Sequence, residues 1–211
     1  MASTAKQPLS SGRPILAYMA GPWVFRSAPD IESFRQRVRD FCDGPLQGAI
    51  MPIFPMEPIV NPSRNGMPFT MDITDPVKIA AHCRRHIARC DVIVADVTPF
   101  RGVQPDPGTV LEIGFAHGAG KGVWLYSEKP IPRLRDRLWA EGLISAYISK
   151  DRDRDGYLIE DFGLPVDTML SAYPYTVGCL PALEAVRDHY RDPAKYEMEA
   201  SLASSDGNHS C

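Results

Sequence analysis

Two carboxylates in the segment Asp91–Glu112, DVIVADVTPFRGVQPDPGTVLE, carry the clearest chemical signal in the chain. The run reads as an apolar strand, a loop rich in proline and glycine, and the start of a helix. The loop delivers Asp106 just before the helix, and Glu112 is expected in its first turn or so. A helix N-terminus carries about half a positive charge, worth ~0.3–1 kcal/mol to a nearby anion. That favours an ionised Glu112, as a nucleophile must be. A second carboxylate pulls the other way, because like charges raise one of the two pKa values. An ionised nucleophile beside a partner able to hold a proton is the arrangement of glycosyl-transfer sites. The same residues admit a plainer account, in which Asp106 caps the loop and Glu112 only answers the helix dipole.

Other patterns fail on inspection. In GAGKG (Gly118–Gly122) the residue five before Gly120 is Phe115, and no Ser or Thr follows Lys121, so the phosphate-loop spacing is absent. His82 and His86 are four apart on an expected helix, but Cys83 stands where a zinc-protease helix has its Glu. Both histidines are therefore assigned to a solvated basic face. DRDRDG (Asp151–Gly156) copies the start of a calcium loop, yet Phe162 occupies the position of the bidentate Glu. It reads as a polar surface loop. No G-x-S-x-G is present, and no metal or organic cofactor is implied.

The elements that must position the two carboxylates follow from periodicity. Ile15–Ala20, Ala49–Phe54, Val92–Val97 and Val123–Tyr126 are short and apolar nearly throughout, as parallel strands covered on both faces should be. Tyr175–Cys179 is a weaker fifth. Asp30 is expected to cap a helix running to about Phe41, with Ile31, Phe34, Val38 and Phe41 on its buried face. Asp75 is expected to cap a second, ending near Arg89, with Ile79, Cys83, Ile87 and Cys90 inward and Lys78, His82, Arg85 and Arg89 outward. A third starts at Gly108–Thr109 and stops in the glycines at 118–122. A fourth begins at Leu180, with Pro181 in its first turn, and ends near Arg191. Alternating strands and helices imply an α/β fold, a parallel five-stranded sheet with helices on both faces. Such sheets place ligands at the carboxyl ends of their strands. The prolines clustered at 45–76 and 99–107 mark structured loops there.

The chain has 211 residues, 44% of them apolar, which suits one domain and excludes whole-chain disorder. Residues 1–13 read as a flexible lead, 14–191 as the domain and 192–211 as a loose tail. A net charge of −3 argues against a protein devoted to gripping nucleic acid. No apolar run approaches the roughly 20 residues that span a bilayer, and the polar N-terminus is not a secretory signal. Five scattered cysteines without a C-x-x-C pair fit a reduced, cytoplasmic chain.

YMAGPWVF (Tyr18–Phe25), CDVIVADVTPFRG (Cys90–Gly102), PDPGTVLEIGFA (Pro105–Ala116) and FGLPVDTML (Phe162–Leu170) resemble, in order and spacing, the nucleoside 2-deoxyribosyltransferase family. The similarity spans roughly residues 14–191. It implies a flavodoxin-like fold and a ping-pong reaction of nucleoside salvage. A Glu attacks C1′ of a 2′-deoxynucleoside, the base leaves, and a second base takes the sugar from a covalent ester. By this resemblance Glu112 is the nucleophile, Asp106 contacts the sugar and shuttles a proton to the base, and Tyr18 orients the nucleophile. Gly108 and Thr109 shape the helix start. Gly21, Trp23, Phe25, Cys83, Asp167 and Met169 complete the implied substrate site, Trp23 and Phe25 as flat rings for a base or else as core packing. The partners implied are a nucleoside and a free base, with a homo-oligomer sharing its sites.

The chain departs from the family in two places. Asp167 stands where the family usually has Asn, near the sugar 5′ position and reaching from a neighbouring subunit. An ionised Asp accepts a 5′-hydroxyl but repels a 5′-phosphate. It is expected to favour nucleosides over 5′-monophosphates, unless it turns away to cap the short segment TMLSA. Cys83 stands where the family usually has Asp or Asn reading the base, and a thiol is a weak partner. It is read either as part of the pocket or as core filler. Beside the transferase stand two alternatives, an N-glycoside hydrolase of a nucleoside or nucleotide and a non-catalytic nucleoside-binding domain.

Overall fold

The computed structural model describes residues 12–56, 75–144, 152–160, 162–163 and 165–192. The proline-rich loop at 57–74, the lead at 1–11 and the tail at 193–211 lie outside them. In chain order the elements are β1 (Ile15–Ala20), α1 (Ala28–Asp43), β2 (Ile50–Ile53), α2 (Pro76–Arg89), β3 (Val92–Asp96), α3 (Pro107–Gly118), β4 (Gly122–Ser127), α4 (Leu134–Ala140), β5 (Tyr175–Val177) and α5 (Cys179–Arg191). Short 3-10 turns occupy Pro22–Phe25 and Leu170–Ala172.

All strand pairs are parallel, in the order β2-β1-β3-β4-β5. Side chains alternate across a strand, so each one feeds two layers. Ile15, Ala17 and Met19 of β1 face one layer, packed with Phe34, Val38 and Cys42 of α1 and Ala182, Leu183 and Val186 of α5. Tyr18 and Ala20 face the other, with Ile87 of α2 and Ile113 and Ala116 of α3. Helices therefore cover both faces, as the apolar strands require. Asp91 ties the start of β3 to β1: it accepts two hydrogen bonds from Arg13, each 2.9 Å, and one from the Leu16 amide at 2.9 Å. No helix among the described residues is long and apolar enough to cross a membrane.

The helix boundaries correct several expectations. Ser27, not Asp30, caps α1: its hydroxyl accepts from the Asp30 amide and donates to the Asp30 carboxylate at 2.6 Å. Asp30 stands at the third helical position and holds the Ser27 hydroxyl in place. Ile31 and Phe41 are only half-buried, and Cys42 fills the core beside Val38 instead. Asp75 caps α2 as expected, accepting from Val77 and Lys78. Lys78, Arg85 and Arg89 are exposed as expected, but the two histidines are not. His82 and His86 are buried, and their Nε2 atoms lie 2.9 Å apart. One of these nitrogens must donate and the other accept, which satisfies one ring nitrogen of each imidazole away from water. Ile79 and Cys83, assigned to the core, are half-buried. α5 starts one residue earlier than expected, and α4 had no clear periodic signal at seven residues.

The first loop approaches the sheet closely. Gly21 has φ of +153°, and a Cβ there would stand 2.8 Å from Asp96 Cβ at the end of β3. Only glycine lets the AGP turn cross so near β3. Replacing Gly21 by Ala should lower unfolding stability by about 1–3 kcal/mol, through strain and overpacking. Urea unfolding checks this; an unchanged midpoint at unchanged slope would show the loop to be free to move away.

Candidate active site

In the strand order observed, β1 and β3 lie side by side at the sheet's topological switch point, where ligands of such folds bind. Tyr18 projects from β1 toward α3, and its hydroxyl donates to Glu112 Oε1 at 2.6 Å. The side chains are 94 residues apart in sequence. Tyr18 is fully buried, whereas Glu112 keeps some exposure, as a group that must meet a substrate needs.

Cys83 of α2 lies near enough to this pair to affect its electrostatics: the Glu112 charge adds to burial in raising the thiol, and the thiol helps to lower the Glu112 carboxyl. Cys83 is half-buried beside Tyr18 and Glu112 rather than deep in the core. Of these three acids, only Glu112 is acidic enough to ionise near neutrality. Burial pushes the Glu112 carboxyl up from 4.5 to about 7; the Tyr18 and Cys83 hydrogen bonds oppose this, and the Asp106 charge adds to it. Burial likewise pushes the Tyr18 hydroxyl far above its ordinary value and raises the Cys83 thiol, so both remain donors.

Glu112 is the sixth residue of α3, in its second turn rather than its first. The helix dipole acts mainly within the first turn. It does not hold this carboxylate ionised; desolvation dominates instead. Asp106 is the residue that meets the dipole. As N-cap of α3 it accepts from the Thr109 amide at 2.8 Å and the Thr109 hydroxyl at 3.0 Å, both on Oδ2. Asp106 and Thr109 are buried. Gly108 serves this cap, since a Cβ there would stand 3.0 Å from Asp106 Oδ2. The helix itself begins at Pro107, one residue before the expected start. Oδ1 of Asp106 takes no part in this cap.

The remaining expected residues are dispersed. Trp23 stacks on Phe34 of α1, with centroids 4.0 Å apart and planes 5° apart, in the layer opposite Glu112. That is the core-packing alternative. Phe25 is 56% exposed and stacks on Phe100 at the rim, with Arg101 over both rings. Gly21 crosses β3 as described. Asp167 Oδ1 accepts from the Met169 and Leu170 amides at 3.0 and 3.1 Å, which is the capping geometry left open above. Met169 is 81% exposed. A cavity of about 330 Å³ lined by Trp23, Arg26, Asp30, Ser33, Phe34 and Arg37 lies against α1 and includes none of the Glu112 cluster. The chemistry, not the size of an opening, marks the site. No group of three or more metal-ligating side chains occurs among the described residues.

Sequence reasoning missed Asp96. It is buried at the end of β3, accepts from the Thr98 amide at 2.9 Å and from the Thr98 hydroxyl, and burial raises its pKa. A carboxylate at the last position of a core strand is the signal that marks it.

Comparison with known proteins agrees with this geometry. The chain is 24% identical to an uncharacterised protein of Schizosaccharomyces pombe, over 97% of this chain and 99% of that one. Among solved structures it is similar to a 2-desoxiribosyltransferase from Leishmania mexicana, with TM-score 0.60 and 28% identity, covering 83% of this chain and 99% of that one. A family model of nucleoside 2-deoxyribosyltransferases matches residues 17–169, a span that takes in Tyr18, Cys83, Asp106 and Glu112. With most of the chain matched, and with strands and carboxylates arranged as described, the protein belongs to the nucleoside 2-deoxyribosyltransferase family.

Proposed function

We propose that the protein cleaves the N-glycosidic bond of a 2′-deoxynucleoside through a covalent ester on Glu112 and passes the sugar to a second free base. The observation that carries this reading is the Tyr18–Glu112 hydrogen bond of 2.6 Å in a largely desolvated pocket. Tyr18 occupies one carboxylate oxygen and leaves the other to attack C1′. The electron pair of the C1′–N bond leaves with the base, which needs a proton. Asp106 has one oxygen fixed by Thr109 and the other available to the sugar and to that proton. Reversal with a different base completes the transfer; water in its place gives hydrolysis. No cofactor enters the scheme.

Glu112→Gln should abolish turnover, because an amide cannot form the ester. Wild type incubated with a deoxynucleoside should gain one deoxyribosyl group on the peptide containing Glu112. Supplying a second base tests the acceptor: product nucleoside means transfer, free sugar alone means hydrolysis. An active Gln variant would overturn the mechanism. The same variant reads out burial. A carboxyl raised from 4.5 to about 7 gives stability that is fully present below 4.5 and lost as pH rises through 7. At pH 8 the Gln variant should therefore be more stable by up to about 3 kcal/mol. Melting temperatures at pH 5 and 8 should show the gap between the two proteins opening with pH.

The nucleophile must be ionised, so kcat/KM should rise with pH through a midpoint near 7. Tyr18→Phe removes a hydrogen bond that lowers this pKa. Its rising limb should move to higher pH, with a loss of activity at pH 7 of roughly 10–100-fold. An unmoved limb would show that Tyr18 does not act through Glu112.

The proposal includes a homo-oligomer. Leu111, beside the nucleophile on α3, is 74% exposed, and Val110 and Phe115 extend the patch. Exposed apolar surface of this kind marks association sites. Light scattering should give a multiple of the 23.4 kDa chain, and Leu111→Glu should dissociate it and lower activity. A fully active wild-type monomer would remove this part of the reading.

A further inference from the structure

Arg101 is a strained residue that the scheme above does not use. Its φ is +52°, in the left-handed region that glycine enters freely and other residues rarely do. Strain of this kind persists only where the surroundings over-determine it, and it gathers at functional sites. Here it places a guanidinium. Arg101 Cζ stands 4.7 Å from the ring centroid of Phe100 and 5.1 Å from that of Phe25. The two rings stack, with centroids 5.2 Å and planes 20° apart. No carboxylate among the described residues pairs with Arg101. Its charge lies against ring faces instead, where a planar guanidinium fits better than an ammonium.

The rings belong to two loops that leave the same edge of the sheet. Phe25 ends the short turn after β1, and Phe100 and Arg101 lie between β3 and α3. β1 and β3 are parallel neighbours, so both loops emerge side by side at the carboxyl edge, where β1 ends two residues after Tyr18. The second loop delivers Asp106. Side chains fix it at its start, where Asp96 accepts from the Thr98 amide, and at its end, where Asp106 accepts from Thr109. In its middle Arg137 Nε donates to Val103 O at 2.9 Å. From Thr98 to Gln104 one backbone hydrogen bond is made among the described residues, from Phe100 N to Gln104 O. The Phe25–Phe100–Arg101 stack joins this sparsely bonded stretch to the first loop.

We propose that Arg101 is a positioning residue: its guanidinium, laid across Phe100 and Phe25, latches the loop that delivers Asp106 to the loop that follows β1, and so fixes where Asp106 stands relative to Glu112. This rests on the reading of Asp106 as the group that meets the sugar and the departing base. Both loops and Glu112 belong to one chain, so the latch acts within a single site. Arg101 touches no reacting atom in the scheme. Misplacement of a reacting group by about 1 Å costs up to ~100-fold in rate.

Glycine adopts the Arg101 backbone without strain and lacks the guanidinium, so Arg101→Gly in the full chain separates structure from function. Its melting temperature should stay within a few degrees of wild type. Its kcat for a deoxynucleoside should fall about tenfold, with KM changed less than about twofold. The loss should be the same for a purine and a pyrimidine deoxynucleoside. Arg101→Asn, which also tolerates this φ, should behave likewise. Arg101→Lys keeps a cation over the rings and should recover part of the loss. Hydrogen exchange reads the latch without substrate. Amides of 98–100, 103–106 and 23–26 should exchange faster together in the Gly variant, while those of β1 and β3 stay unchanged. Exchange that quickens only in the second loop would overturn the latch, whatever the enzyme acts on. Two loosened loops with wild-type kcat would overturn the positioning role. So would a loss that lies in KM and differs between bases, which would make the stack a base-binding surface. A loss that follows the melting temperature and that Lys does not relieve would reduce Arg101 to a structural part. If the wild type cleaves no nucleoside, the proposed function fails, and the exchange measurement still decides the latch.

Discussion

The site depends on one costly fact: a carboxyl group is held largely out of water. Desolvation pushes the Glu112 pKa to about 7, and the hydrogen bonds from Tyr18 and Cys83 recover only part of that cost. A fully solvated glutamate would be ionised and would spend its charge on water. A fully unassisted buried one would stay protonated and could not attack. The Tyr18 hydroxyl holds the balance between these limits, and can do so because its own burial keeps it protonated.

Much of the surrounding architecture serves that contact. Parallel pairing of β1 with β3 sets Tyr18 opposite Ile93 in the register, beneath α2 and α3. The Asp106 cap with Thr109 fixes where α3 begins, and so where its sixth residue falls. Gly108 permits that cap, and Gly21 allows the first loop to close over the end of β3. The two nearby carboxylates are treated differently. Asp106 is neutralised locally by an amide, a hydroxyl and a helix start. Glu112 sits further in, where the dipole no longer helps and burial raises its carboxyl.

The misassignments share a cause. Ser27 and Asp30 are both capping residue types, and only the hydrogen bonds show that Ser27 caps while Asp30 holds its hydroxyl. His82 and His86 look like a wet face because histidine is polar. Paired Nε2 to Nε2, each gives the other one buried hydrogen-bond partner. Trp23 and Phe25 are both flat rings two residues apart, yet the 3-10 turn sends one under α1 and leaves the other at the rim.

Local pattern alone determined the strands, their parallel pairing and the identity of Glu112 and Asp106 as carboxylates beside a helix start. Those properties are written in periodicity and in turn and cap residue types, which act over a few neighbours. Tertiary structure decided that Cys83 lies beside Glu112, that Asp167 spends an oxygen on its own turn, and that Arg137 collects three distant carbonyls. It also decided the charge state of Glu112, since desolvation comes from β1 and α2 packing over α3. Contacts across 94 residues, as between Tyr18 and Glu112, leave no local trace in the chain, because the energy that fixes them is shared with the whole sheet.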